Sequence, residues 1–128
     1  MAAVARFAGA QPEDCFPAST PSAVLATLLS ALAPADGGSL LVLSIAEGAA
    51  KAVVGRCAAR VGLSIVELQV TEAMLTDSHL LLEQLRTTLS ACEHGLRAAV
   101  LPHVLSFPPT VLPIADMVAA CTQARSPF

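Results

Sequence analysis

The sequence predicts an α/β fold, a three-layer sandwich with a mainly parallel sheet in its middle layer. Two short apolar runs, Ser39 to Ser44 and Ala98 to Leu101, are bounded by Gly or Pro and are too short for ordinary helices. Such runs are typical of buried strands. Longer segments with apolar residues at helical spacing separate them, as right-handed βαβ crossovers require. The length of 128 residues suits one domain, residues 1–128.

The N-terminal third predicts two helices joined by a turn. Residues Ala2 to Ala10 indicate a helix that ends near Gly9. Ser19 and Thr20 are ordinary N-cap residues, and they predict a helix from Pro21 to Ala33. The segment PADGG, residues 34–38, ends this helix and turns the chain into the first strand.

The middle of the chain predicts a helix, a strand and a second helix. The first helix runs from about Glu47 to Val61 with Gly62 as its C-cap, and its basic residues Lys51, Arg56 and Arg60 are expected to be solvated. Leu63 to Val70 alternates in its later part, which favours a strand near a sheet edge.

The last third predicts a loop, two further helices and the second buried strand between them. Residues 71–78 are expected to form the loop. A helix from Leu80 to Ala91 follows, with Asp77 or Ser78 as its cap. Pro102 ends the strand after Leu101, and the final helix runs from Pro113 to about Ala124.

The composition excludes several classes of protein. The chain is 55% hydrophobic and only 13% charged, without Trp or Tyr, so it resembles the inside of something larger. The net charge of -3 without a basic stripe argues against nucleic acid. Charged and polar residues interrupt every window of about 18 residues, and the N-terminus has no signal-peptide pattern, so we expect a soluble, cytoplasmic protein.

The four cysteines lie far apart in the sequence. No C-x-x-C pair and no His at zinc-finger spacing accompanies them. We therefore expect reduced, buried thiols rather than disulfides or a metal site.

The segment after the second strand resembles the class V aminotransferase superfamily, whose members are fold-type I enzymes dependent on pyridoxal phosphate (PLP). VLPHVLS, residues 100–106, followed by TVLPI, residues 110–114, has the order of LVVLDHVTS and LVLPV in the isopenicillin N epimerase-like branch. Cysteine desulfurases are more distant. His103 and Ser106 match the pattern, whereas Pro102 and Leu105 replace its Asp and Thr. The resemblance places His103 and Ser106 around the cofactor ring.

A second motif corresponds to the family's phosphate-binding turn. RFAGAQPEDCFPAST, residues 6–20, resembles FVGADPEDLVFVPNAT, a turn that holds the cofactor phosphate with backbone N–H groups and a hydroxyl. The resemblance implies that Ala18, Ser19 and Thr20 bind phosphate, although Pro17 replaces the usual Asn. Helix capping alone is the alternative.

A third motif, SIAEGAAK at residues 44–51, resembles the family's DHAYGAVK. Ile45 stands where His is common and Glu47 where Tyr is common, so the aromatic side chain that would stack on the pyridine ring is missing. We expect Glu47 to be a solvent-facing residue in the first turn of its helix.

The residues that perform PLP chemistry are not found in this sequence. The family uses an Asp at the ring nitrogen and a Lys that forms the Schiff base, both downstream of the last helix. Lys51 is the only lysine and matches an ordinary helix position of the family. The resemblance therefore covers a partial large domain, with no catalytic residue.

Three hypotheses follow from the resemblance. We favour a truncated or divergent relative of a class V enzyme that is not catalytic alone. The second is a fragment of a full-length, active PLP-dependent lyase, epimerase or aminotransferase that acts on an amino acid. The third is an interaction module that forms a homo-oligomer or joins a full-length homologue, because fold-type I enzymes are typically dimers and a partial sheet has an unpaired edge.

Overall fold

A three-stranded parallel sheet forms the centre of the computed structural model, which describes residues 1–32 and 37–124. Strand β1 (Ser39–Leu43) lies between β2 (Ser64–Leu68) and β3 (Leu96–Val100) and runs parallel to both. Every residue of β1 is buried, as its continuous apolar run predicts. The predicted α/β fold with a mainly parallel sheet is confirmed.

Helices occupy most of the remaining described residues. They are α1 (Ala2–Ala8), α2 (Pro21–Ser30), α3 (Gly48–Val61), α4 (Glu72–Thr76), α5 (Ser78–Ser90) and α6 (Ile114–Gln123). Gly9 ends α1 and Gly62 ends α3, both in the left-handed conformation that glycine adopts without steric cost. Asp77 caps α5 by accepting a hydrogen bond from the His79 N–H at 2.9 Å. These caps confirm the predicted helix ends.

The two faces of the sheet are covered by different pairs of helices. Leu40 packs among α2 and α3, whereas Leu41 and Leu43 pack among α5 and α6, because successive strand residues point to opposite faces. The buried residues of α3 are Val53, Val54, Cys57, Ala58 and Val61. The three-layer arrangement is therefore held by two apolar layers, one on each side of β1.

Two predicted loops contain regular structure. Helix α4 lies within the expected loop 71–78, because Met74 and Leu75 pack against the α5–α6 layer and order that segment. The expected Pro-rich turn after β3 contains a small antiparallel hairpin of β4 (Val104–Leu105) and β5 (Thr110–Val111). Leu105 is buried, which anchors the hairpin.

The outer strands differ from the central one. β2 exposes Ser64, Ile65 and Glu67, and in the described part of the chain it is an edge strand, as predicted. β3 is half-buried after Leu96 rather than fully buried, since no described strand pairs with its outer side. The second helix ends at Ser30, with Ala31 as its C-cap, and not at the predicted Ala33; Ala33 itself and the start of the following turn lie outside the described residues.

Two findings bear on the class of protein. In residues 1–32 and 37–124, no helix is long and apolar enough to cross a membrane. The cysteines are free thiols; Cys57 and Cys121 are buried, as expected, whereas Cys15 and Cys92 are only half-buried.

Candidate functional site

A cavity of about 380 Å³ lies at the carboxyl ends of β1 and β3. Its apolar walls come from Ile45, Ala50, Val100, Leu101, Val104 and Leu105. Glu47 and Ser106 supply polar groups, and Phe107 adds an aromatic ring. This place and size are usual for a ligand site in an open α/β sheet. We call it the strand-end cavity.

One wall of the strand-end cavity is the segment that leaves β3. Pro102 follows the strand and has no N–H to continue the ladder. The chain then folds back, and the Leu112 N–H donates to the carbonyl of His103 at 2.9 Å. Because Leu105 is anchored in the core, the next residues, Ser106 and Phe107, are placed at the cavity.

The other wall is the connection from β1 to α3. The Ser44 N–H donates to the Leu68 carbonyl at 2.9 Å, which holds the end of β1 against β2. The Ala46 N–H then donates to the Leu43 carbonyl at 2.9 Å and closes a turn. Glu47 occupies the N-cap position of α3, yet its side chain makes no capping hydrogen bond. Its carboxylate is exposed, as predicted, and belongs to a residue that lines the cavity.

The side chain of Lys51 is directed toward β2, the edge strand that carries Glu67. Its Nζ donates to the Ser44 carbonyl at 2.7 Å and lies 3.4 Å from Glu67 Oε2. Lys51 is not among the residues that line the strand-end cavity. The expectation of a solvated lysine was wrong, because the parallel pairing of β1 and β2 brings Glu67 within reach of α3.

The other two basic residues of α3, Arg56 and Arg60, are both exposed, as predicted. Arg60 Nη2 lies 3.5 Å from the carbonyl of Leu29, to which it donates a long hydrogen bond across to α2.

The predicted phosphate turn lines a separate cavity of about 490 Å³. Ala18, Ser19 and Thr20 line it together with Asp14 and Phe16. Thr20 uses its own oxygens to cap α2: Oγ1 accepts from the Ala23 N–H at 3.1 Å, and the carbonyl accepts from the Val24 N–H at 3.2 Å. The first of these bonds engages one of the amides that an anion would need at this helix end, whereas the second is the first ordinary bond of the helix.

Both cavities lie at the same end of the sheet. The carbonyl of Leu29, late in α2, accepts from Cys57 Sγ at 3.2 Å, late in α3, so the two helices run side by side in one direction. Their N-termini therefore point to the carboxyl ends of the strands. In the described part of the chain, the two cavities share no lining residue.

The structure brings only some of the predicted site residues together. Ser106 lines the strand-end cavity, whereas the exposed His103 does not. Ala18, Ser19 and Thr20 line the second cavity. The sequence had indicated Glu47 only as a residue that stands where the family commonly has Tyr. It gave no signal for Phe107, whose placement depends on the hairpin.

The charges of the two cavities do not suit the phosphate group of PLP. The strand-end cavity has walls that could hold a pyridine ring, but Glu47 adds a negative charge to it. Asp14 does the same for the second cavity. Among the described residues, no Lys, Arg or His lines either one. In the strand-end cavity a phosphate would face Glu47 without a basic partner, and in the second cavity it would meet Asp14 beside the α-amino group of Met1 but no basic side chain, so the side chains present fit the ring and not the phosphate.

The fold is that of part of a PLP-dependent transferase. A solved structure of a C-DES mutant with glycine covalently linked to the PLP cofactor matches 98% of this chain with a TM-score of 0.80 and 22% sequence identity. The resemblance inferred from the motifs is therefore confirmed at the level of the fold. That mutant protein carries the PLP cofactor.

A sequence relative carries a related name. The protein "Putative L-cysteine desulfhydrase 1" of Oryza sativa subsp. japonica is 30% identical over 90 residues, which is 68% of this chain. The chain spans only 18% of the length of that protein and 31% of the solved one. No protein-family model matches the chain.

Proposed function

We propose that this chain is a truncated or divergent relative of the class V aminotransferases that performs no PLP catalysis by itself. The bonding of Lys51 carries this proposal. A Schiff base needs a lysine amine directed at the cofactor. The only lysine instead donates to Ser44 at 2.7 Å and pairs with Glu67 at 3.4 Å, outside the strand-end cavity.

Two names favour the desulfhydrase and desulfurase side of the superfamily over the isopenicillin N epimerase-like branch. The rice relative is described as a cysteine desulfhydrase, and the solved neighbour is the PLP-bound C-DES mutant. The motif VLPHVLS supports the epimerase-like branch as the alternative. We further propose a cytoplasmic location, which the four free cysteines support.

The second candidate function is that of one piece of a longer, active lyase, epimerase or aminotransferase with an amino acid substrate. The coverage of 18% and 31% of the two relatives supports it. Other parts of that enzyme would then supply the Schiff-base lysine and the ring-nitrogen carboxylate.

Pairing with a second copy or with a full-length homologue is a further candidate. Val104 and Val111, which face each other across the hairpin, and Phe107 at its turn are more than half exposed. Exposed apolar side chains of this kind often belong to interfaces.

The first experiment tests the role of Lys51. The purified chain is incubated with PLP, reduced with borohydride and analysed by mass spectrometry, while sulfide release from L-cysteine is measured. We expect neither a covalent adduct nor sulfide. The matched control is Lys51→Arg, which keeps the charge beside Glu67 but removes the primary amine. An adduct at Lys51 together with sulfide release that Lys51→Arg abolishes would overturn the proposal.

A second experiment separates the first two candidates. An antibody raised against the described residues is used to isolate the protein from cells that express it, and its mass is measured. A mass of 13.0 kDa supports the chain acting alone. A mass several times larger, with PLP-dependent activity, selects the longer enzyme.

A further inference from the structure

We propose that the strand-end cavity binds a small apolar amine in its protonated form, and that Glu47 determines this preference for a cation. The inference rests on the proposed function only in taking the carboxyl ends of the strands as the ligand site. It differs from that function in the charge of the ligand, since PLP is an anion.

The walls of the cavity select an apolar body. Ile45 and Val104 come from its two sides, and Leu105 lies beneath them in the core. The volume of about 380 Å³ can hold a ring or a short branched chain. Apolar contact would supply most of the affinity, because it removes hydrocarbon surface from water.

Glu47 supplies the charge that the ligand must match. It is the one charged residue that lines the cavity among the described residues. Its nearest cationic neighbour along α3 is Lys51, whose ammonium group pairs with Glu67 instead. Within residues 1–32 and 37–124, no salt bridge includes Glu47. The carboxylate is therefore available to an ammonium ion.

The start of α3 makes the effect of Glu47 testable. Gly48 begins this 14-residue helix, and a helix N-terminus carries a partial positive charge that favours anions. Glu47 stands at that point and reverses the sign of the local charge. If its carboxylate is neutralised, the same cavity should lose its preference for cations and accept anions more readily.

Ser106 provides a second oxygen acceptor from the other wall. Its hydroxyl can accept a hydrogen bond from an ammonium N–H, as the carboxylate of Glu47 can. His103 lies only three positions before it but does not line the cavity. Ser106 and His103 therefore give a matched comparison: both are polar residues of one segment, but only Ser106 lines the cavity.

The test compares three ligands of similar shape and different charge. 2-Phenylethylamine, 2-phenylethanol and phenylacetate are a cation, a neutral molecule and an anion at neutral pH. Their dissociation constants are measured by NMR titration of the purified chain. We expect the amine to bind about three- to fivefold more tightly than the alcohol, which is the upper part of the range for an exposed ion pair, and phenylacetate to bind most weakly.

Substitutions then assign the preference to Glu47. Glu47→Gln should weaken binding of the amine about three- to fivefold, strengthen binding of phenylacetate and leave binding of the alcohol unchanged. Glu47→Asp should keep the original order, and Ser106→Ala should weaken the amine about twofold. His103→Ala should change none of the constants. Circular dichroism checks that each variant is folded.

Three results would overturn the inference. They are an unchanged order of affinities in Glu47→Gln, phenylacetate as the tightest ligand of the unmodified chain, and equal loss of the amine in His103→Ala and Glu47→Gln. None of them depends on a Lys51 adduct. A covalent adduct would count against the proposed function alone, so the two failures can be told apart.

Discussion

The two ends of the parallel sheet are built differently. At the carboxyl ends of the strands, the chain opens into the strand-end cavity, and the residues that line its mouth, Glu47, Ser106 and Phe107, are exposed. Their positions are fixed by the backbone rather than by contacts of their own side chains. Substitutions there should change what binds and leave the fold intact.

The amino ends of the strands are closed by close packing. Gly38 accepts from the Ser64 N–H at 3.0 Å, and the Ser39 N–H donates to the Gly95 carbonyl at 3.0 Å. Ser39 is the buried polar residue of the described chain, with 2% of its surface exposed. Burial raises the pKa of the Cys92 thiol, against a smaller opposite effect of its hydrogen bond with Ser39.

The comparison explains how this chain keeps the fold of a PLP enzyme while its candidate site departs from the family's pattern. Pro17, Glu47 and Pro102 all replace residues of that pattern, and all three belong to segments near the carboxyl ends. None of these three is part of the apolar layers on the faces of the sheet. Ile45 and Leu105 also replace residues of the pattern, but they pack in the layer of α5 and α6, so the site varies independently of the fold only in part.

The largest expected effect is at the closed end. Gly38 has φ +113°, and a Cβ there would lie 2.6 Å from Cγ of Arg97. Gly38→Ala should therefore lower the free energy of unfolding by about 2–4 kcal/mol, from backbone strain and overpacking together. Urea unfolding monitored by circular dichroism measures the loss.

A glycine at the open end is the matched control. A Cβ on Gly48, the first residue of α3, would meet nothing within 4 Å. Gly48→Ala should stabilise the chain by about 0.5 kcal/mol. If both substitutions cost the same, the two ends do not differ in the way described.

The thiols of Cys92 and Cys121 at the closed end predict a pH dependence. Burial raises the pKa of the Cys121 thiol above 9.0, and the nearby Cys92 raises it further. The folded chain then holds its thiol protons to higher pH than the unfolded chain. Stability should be full below pH 9.0 and fall as the pH rises through the folded pKa values, with a slope below about 1.4 kcal/mol per pH unit for each thiol.

Substitution of the thiols tests their part in that decline. Cys92→Ala and Cys121→Ala together should flatten the alkaline part of the stability curve, whereas Cys15→Ala should not, because Cys15 lies outside the packing of α5 and α6. If stability still falls at alkaline pH in the double variant, groups other than these two thiols cause the decline.

The N-terminus of α2 belongs to the open end, and its cap should matter less than Gly38. Thr20→Ala removes the hydrogen bond from the Ala23 N–H and should cost about 1 kcal/mol. Thr20→Ser keeps an oxygen in place and should cost little. If Thr20→Ala is neutral in thermal unfolding, capping is not the main role of this residue.

Local signals predicted the fold well because most of its elements depend on near neighbours in sequence. The apolar run Ser39 to Ser44 predicts a central strand even when its partner strands are unknown. Gly62 and Asp77 cap their helices through their own conformation and a bond to a near neighbour. Helix α4 has five residues and is stabilised by tertiary packing, so its own sequence is a weak signal.

The candidate site depends on long-range contacts, and less of it could be predicted. The strand-end rule correctly indicated the region of Ser106. His103 is separated from the cavity by the hairpin. The pairing of Val104 with Val111 that forms this hairpin cannot be predicted from the local sequence of either residue. Whether the turn 18–20 binds phosphate is still a prediction.

Lys51 illustrates this dependence, and its removal gives the smallest expected loss of stability. Its partner Glu67 comes from β2, and the pair is about one-third exposed, at 34% and 38%. Lys51→Met should therefore cost only about 0.5–1 kcal/mol, mostly through the lost hydrogen bond to Ser44, and less at high salt. Lys51→Arg should recover the ion pair in the same urea titration. A loss above 3 kcal/mol in Lys51→Met, well beyond the range of about 0–1 kcal/mol for exposed pairs, would mean that this bridge holds the open end of the sheet together.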